Sequence, residues 1–274
     1  MTTGAAGSGG LGVGDANGLE ASAELVQRAD PDRFLAAMAA SPSARAVLFP
    51  LYAFNVEISR APWVTQEPLI AEMRLQWWRD ALEGVYGGQP SRVLGVAAPL
   101  SGLLAGQDWA RPLTEAMIDA RRWDIAGEGF AEEGALWSHL DRTSGHLMWL
   151  SARLLGADAA AEPVVRDLGA AAGLAAWLRS VPDWLARGRS PLPDLSPSAV
   201  SALAGEGLEK LRKARRQRVR LRGPAGAAML AAWRAGPTLS AARRDPETVA
   251  TGLVETSEFR RRGALLLRAA TGRW

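Results

Sequence analysis

The stretch "LRSVPDWLARGRSPLP", residues 178–193, holds a single carboxylate, Asp183, in a segment of helical rhythm that runs out at Arg-Gly-Arg. Paired acids on one helix face, close to arginines, would suit a divalent cation and a diphosphate. Mg²⁺ takes oxygen ligands and bridges to phosphate. Asp183 has no such pair, and Pro182 sits beside it. The two histidines, His139 and His146, are seven apart in "WSHLDRTSGHLMWL". Helical metal ligands prefer spacings of three or four, and Gly145 weakens the helix between these two. Both are expected to be structural or surface histidines. "DRTSGH" contains Ser, Asp and His, but the nucleophile elbow G-x-S-x-G is missing, so no nucleophile is assigned. Cysteine is absent, which excludes disulfides, thiolate metal sites and Cys nucleophiles together.

Two further groups could bind rather than react. Trp77 and Trp78 are adjacent, and adjacent helical residues differ by about 100° in direction. One ring is expected in the core, and the other faces a cavity or a partner surface. "EKLRKARRQRVRLR", 209–222, carries eight cations between 210 and 222, with Leu211, Val219 and Leu221 as a narrow apolar stripe. It is either a contact for anionic lipid, diphosphate or an acidic partner, or a solvated Arg-rich helix.

The elements that must position these groups read as helices. Residues 1–20 are Gly-rich without apolar period and are expected to be a disordered tail. Asp30 and Pro31 form an N-cap and first helical position. Residues 43–61 are apolar almost all round, as in a buried helix, and Pro50 should kink or divide it. Helical periods follow over 67–88, 91–105, 111–126, 131–155, 161–187, 197–221, 224–235 and 245–270. Val, Ile, Thr and Tyr are too sparse for a sheet. The fold class is therefore all-α, one domain of about ten helices over 21–274. With 48% apolar residues among 274, a sizeable core is available, and a net charge of +3 gives no pull toward nucleic acid. No apolar run approaches the ~20 residues of a membrane span. The start of the chain lacks the pattern of a secretory signal, so a cytoplasmic location is expected.

Several of these segments resemble the squalene/phytoene synthase family, in the family's order. They are "DPDRFLAAMAASPSARAVLFPLYAFNVEISRA", the Trp-Trp-Arg helix "RLQWWRDALEGVYGG", "LTEAMIDARRWDI", "LDRTSGHLMWLSARLLG" and "GLAAWLRSVPDWLARGRSPLP". "DPETVATGLVETSEFRRRGALLLRAATGRW" resembles its closing helix. The resemblance implies an isoprenoid-synthase bundle around a central cavity, with Tyr52, Phe54, Asn55, Arg74, Trp77, Trp78 and Arg79 as candidate cavity or ligand-binding residues. Active members join two prenyl diphosphates, using Mg²⁺ held by two Asp-rich helix motifs.

The chain departs from that pattern at both motifs. Where the first motif places aspartates, it has Ser59, Arg60 and Trp63; only Glu57 is acidic nearby, with no acid three or four positions away. Where the second places them, it has Ser180 and Trp184, with Asp183 about 100° around the helix from the chelating face. Changes around a metal's ligands alone cost about 10–100-fold, and losing the ligands themselves should cost more.

The resemblance is strongest to a branch with eroded motifs that includes relatives of mitochondrial complex I assembly factors. It implies a non-catalytic protein that binds a partner protein or a prenyl- or quinone-like lipid. No cofactor or metal is expected. Peripheral contact of 209–222 with an anionic inner membrane is carried as the alternative to a solvated helix there. The alternative is an active Mg²⁺-dependent prenyltransferase with displaced acids, drawn from Glu57, Asp80, Glu83, Asp124 and Asp183.

Overall fold

The computed structural model describes residues 13–65, 67–88, 95–126, 129–221, 223–253 and 257–274. No strand occurs among them, and the helices follow one another as the apolar periods predict. Helix α1 (Val13–Ala29) begins inside the segment expected as a tail, so the expectation fails for 13–20. Residues 1–12 lie outside the described residues.

Helix α2 (Pro31–Met38) starts as its sequence dictates. The Asp30 carboxylate accepts from the Arg33 N–H at 3.0 Å, and Pro31 lacks the N–H that would be orphaned there. Helix α3 (Pro42–Arg60) is capped by Ser41, whose hydroxyl accepts from the Ala44 N–H at 3.3 Å. Leu48, Phe49, Leu51, Tyr52, Phe54, Val56 and Ile58 are all buried along it. Of the expected kink or division at Pro50, division does not occur: α3 runs through it as one helix. The ring removes one ladder bond to the Ala46 carbonyl. Burial on several faces outweighs that loss, because each large apolar side chain removed from water contributes about 1.5–3 kcal/mol.

Helix α4 (Pro68–Tyr86) carries the tryptophan pair and packs on α6 (Arg111–Ala126), while α5 (Ala97–Leu104) lies across α3. The predicted helix over 131–155 is one continuous run with a defect. It comprises α7 (Glu133–Leu140), a π-helical turn (Asp141–Gly145) and α8 (His146–Leu154). Helix α9 (Glu162–Leu185) presses against that turn. A Cβ on Gly169 would lie 2.7 Å from the Ser144 carbonyl oxygen, and one on Gly173 2.7 Å from the Ser144 Cβ. Arg166 ties the two together by donating from Nε to Asp141 Oδ1 at 3.0 Å.

Helix α10 (Pro197–Arg216) packs on α9 and on α12 (Ala235–Arg244), after the short α11 (Gly226–Met229). The single helix expected over 245–270 is instead α13 (Thr248–Thr251) and α14 (Glu258–Thr271). Gly252 separates them at φ +119°, a backbone conformation that only glycine adopts without strain.

The apolar stripe noted within 209–222 faces the protein's own core, while Arg212, Lys213 and Arg216 are exposed. Leu211 and Leu221 are buried in the core, so the apolar stripe is not available to a membrane. Lys210 and Lys213 each reach Asp167 at 3.1 Å, Arg212 pairs with Glu209, and Arg215 donates to the Trp274 carbonyl at 3.2 Å. The side chain of Val219 lies outside the described residues.

Candidate functional site

The C-terminal end of α3 and the C-terminal end of α9 meet across a cavity of about 430 Å³. From α3 and the turn after it come Asn55, Ser59, Arg60 and Trp63; from α9 and its exit come Trp177, Ser180, Asp183, Trp184 and Arg187. All the degenerate motif positions singled out in the sequence therefore face one space. Asp183 is exposed and lies at the rim of this cavity.

What these positions present is mostly not acid. Trp63 and Trp184 contact edge to face, with centroids 4.4 Å apart and planes at 64°. The Arg187 guanidinium lies 3.9 Å from the Trp63 ring centroid, a cation–π contact. The Ser59 hydroxyl donates to the Val56 carbonyl at 3.0 Å and the Ser180 hydroxyl to the Trp177 carbonyl at 2.8 Å, each back into its own helix. Arg60 lines the same opening.

Behind Trp184 lies an aromatic cluster that the sequence reading missed. Trp123 of α6 stacks on Phe130 at 4.0 Å and approaches Trp177 and Trp184 at 5.5 and 5.6 Å. The His139 ring sits within it, 5.2 Å from Trp177. Trp123 adjoins Asp124 in "ARRWDI", and a tryptophan next to a buried acid was the available signal.

The floor of the cavity is polar. Asp124 is 2% exposed; its Oδ2 accepts from Arg121 Nη1 at 3.3 Å, and its backbone carbonyl accepts from Arg189 at 2.8 Å. Arg121 also donates to Asn55 Oδ1 at 3.3 Å. Burial pushes the Asp124 carboxyl up to about 6, against the pull of Arg121 and Arg189. His139 is 1% exposed; burial first, then Arg121 and Arg142, hold it down at about 3. Its Nε2 approaches Asp124 Oδ1 at 3.8 Å, but a neutral imidazole at that distance makes neither an ion pair nor a hydrogen bond. Asp124 Oδ1, both His139 ring nitrogens and Arg121 Nε are buried without a hydrogen-bond partner. His146 is separate: its Nδ1 lies 3.3 Å from the Leu113 carbonyl.

The remaining candidates lie away from this cavity. Tyr52 is buried and lines a smaller neighbouring cavity of about 60 Å³ beside Asp30 and Arg33. Phe54 and Trp78 pack edge to face at 5.1 Å in the core. Trp78 is 4% exposed and Trp77 46%, so the pair divides as its helical spacing predicts. Arg74 pairs with Glu57 at 3.5 Å, and Arg79 pairs with Asp119 on α6. Of the five acids weighed as displaced ligands, Asp124 and Asp183 share the cavity. Glu57 faces Arg74, Asp80 accepts from Gln76 at 2.7 Å, and Glu83 lies 3.8 Å from Arg111. Among the described residues no three His, Cys, Asp or Glu side chains gather where they could hold one metal ion.

Comparison with known proteins gives these positions a context. A model of the squalene/phytoene synthase family matches residues 26–196. Among characterised proteins the chain is similar to NADH dehydrogenase (ubiquinone) complex I, assembly factor 6. It is 26% identical over 171 residues to the Bos taurus protein, covering 62% of this chain and 51% of that one. For the Drosophila melanogaster homolog the figures are 30% over 194 residues, 68% and 56%. The chain thus spans about half the length of the curated relatives it matches. Two solved structures share its fold, each at 14% identity. Squalene synthase HpnC from Alicyclobacillus acidocaldarius superposes with a TM-score of 0.73 over 85% of this chain and 96% of its own. A dehydrosqualene synthase in complex with ligand superposes with a TM-score of 0.77 over 94% and 96%.

Proposed function

The chain belongs to the squalene/phytoene synthase family, and from that premise we propose that it is a non-catalytic member that works by binding. The observation that carries this reading is the ring contact between Trp63 and Trp184. Those are two of the positions at which the family resemblance puts aspartates. Mg²⁺ needs oxygen ligands at about 2.1 Å in near-octahedral array. Two indole edges supply none, and Arg60 and Arg187 at the same opening add positive charge where a cation would have to sit. These residues do not fit a Mg²⁺–diphosphate site.

What the cavity offers instead is an aromatic wall above a buried polar floor, the usual make-up of a small-molecule pocket. That supports a prenyl- or quinone-like lipid as a retained ligand. The curated relatives carry the name of complex I assembly factors, which supports a protein partner in the assembly of a respiratory complex. The proposed place of work is the cytoplasm at the inner membrane surface.

The test is calorimetric titration of the full chain with farnesyl diphosphate, with and without Mg²⁺. The reading predicts an affinity that Mg²⁺ leaves unchanged. An affinity that rises on adding Mg²⁺, and loses that rise in Asp124→Asn or Asp183→Asn, would overturn it in favour of displaced acids.

A further inference from the structure

Helix α14 turns large apolar side chains away from the protein. Phe259 is 88% exposed, and Leu266 and Leu267 are each 66% exposed. At about 100° per residue, Phe259, Gly263, Leu266, Leu267 and Ala270 fall within one arc of roughly 100°. All five are exposed. Arg262 stands at one edge of that arc and Arg260 at the other, both exposed. The opposite face seats the helix: Leu265 is buried, and the helix leans on residues 230–232.

Among the described residues of helix α14 the charge is predominantly positive. Helix α14 carries Arg260, Arg261, Arg262 and Arg268 against a single acid, Glu258, which accepts from Arg262 at 2.7 Å. A cavity of about 150 Å³ behind it is lined by Arg179, Arg234, Arg244, Arg260, Arg261 and Arg268. Arg179 and Arg234 share Asp32.

An exposed apolar stripe edged on both sides by arginines is the pattern of a helix lying in a membrane interface. The apolar face enters the acyl boundary while the cations meet lipid phosphates. No helix among the described residues is long and apolar enough to cross a bilayer. We infer that α14 seats this protein on an anionic phospholipid surface through Phe259, Leu266 and Leu267, with Arg260 and Arg262 reading the headgroup charge. The occupant is lipid because the complementarity is to a sheet of negative charge along both edges of the stripe. This inference stands apart from the cavity and holds whether or not the cavity is catalytic.

Vesicle flotation tests it with the full chain. Vesicles of phosphatidylcholine alone are compared with vesicles in which part of that lipid is replaced by phosphatidylglycerol. Wild type should float with the anionic vesicles and remain below with the neutral ones. The triple variant Phe259→Ser, Leu266→Ser, Leu267→Ser should lose at least about tenfold in partitioning, and Arg260→Glu with Arg262→Glu a similar factor. Arg212→Glu with Arg216→Glu on α10 should lose less than about threefold, the small effect of distant surface charge.

The chain has no cysteine, so Leu266→Cys carrying an environment-sensitive fluorophore gives a second readout that does not depend on the triple variant folding. Its emission should shift to the blue on anionic vesicles. Wild type that floats with neither vesicle, flotation that survives the triple substitution, or a label at 266 that stays in water would each overturn the inference.

Discussion

Trp63 and Trp184 define the site at the scale of single residues, because their contact fills the gap between two helix ends. Trp184 is buried among Trp63, Trp123 and Trp177. Trp184→Ala should therefore cost about 3 kcal/mol of unfolding free energy, as large-to-small changes of buried tryptophan do. Urea denaturation measures it, and a loss below about 1 kcal/mol would mean that the cluster is loosely packed. Protonation of the polar floor makes a second residue-scale prediction. His139 falls from its ordinary 6.5 to about 3 on folding, so between those values the unfolded chain binds the proton and stability drops as pH falls. Asp124 rises from 3.8 to about 6, so it opposes this, adding stability as pH falls through that window. His139→Phe should accordingly flatten the acid loss between pH 7 and pH 5 relative to wild type, and Asp124→Asn should steepen it. Parallel pH profiles for all three proteins would contradict the assignment. Residue identities singled out Ser59, Arg60, Trp63, Ser180 and Trp184, which the structure brings to one cavity. Arg121, three residues before Asp124 on the same helix, was within reach of sequence reasoning, whereas Arg189, 65 residues away, was not.

The close approach of α9 to the π-helical turn is the constraint that matters at the level of elements. Gly169 faces backbone there, so Gly169→Ala should destabilise by about 1–3 kcal/mol through forced displacement. Gly263 on α14 has nothing within 4 Å of a built Cβ, so Gly263→Ala should stabilise by about 0.5–1 kcal/mol through helix propensity. Thermal denaturation of the two variants checks both signs. Most helix positions were legible from apolar period and capping residues, as at Asp30–Pro31 and Ser41. The errors have physical causes. At Pro50 the helix stays undivided because the apolar surroundings outweigh one lost hydrogen bond. Over 245–270 a helical period persists across Gly252, whose backbone breaks the run. The basic run at 209–222 reads as either a binding face or a solvated helix; that Leu211 and Leu221 pack into the core depends on contacts such as those of α10 with α9 and α12, which composition does not show.

At the scale of the whole molecule, the family's all-α bundle is kept while the two helix ends that face its cavity carry indoles, hydroxyls and guanidinium groups. A fold of this kind does not by itself confer the reaction. The segment 178–193 contributes Asp183 to the cavity, where Asp30 and Asp124 also stand, but among the described residues no three such side chains gather where they could hold one metal ion. The central claim is that the cavity no longer ionises prenyl diphosphates. The most direct measurement is release of diphosphate from farnesyl and geranylgeranyl diphosphate by the purified chain in the presence of Mg²⁺. The predicted result is release no faster than in buffer with Mg²⁺ alone. Mg²⁺-dependent release that disappears in Asp124→Asn or Asp183→Asn would contradict it.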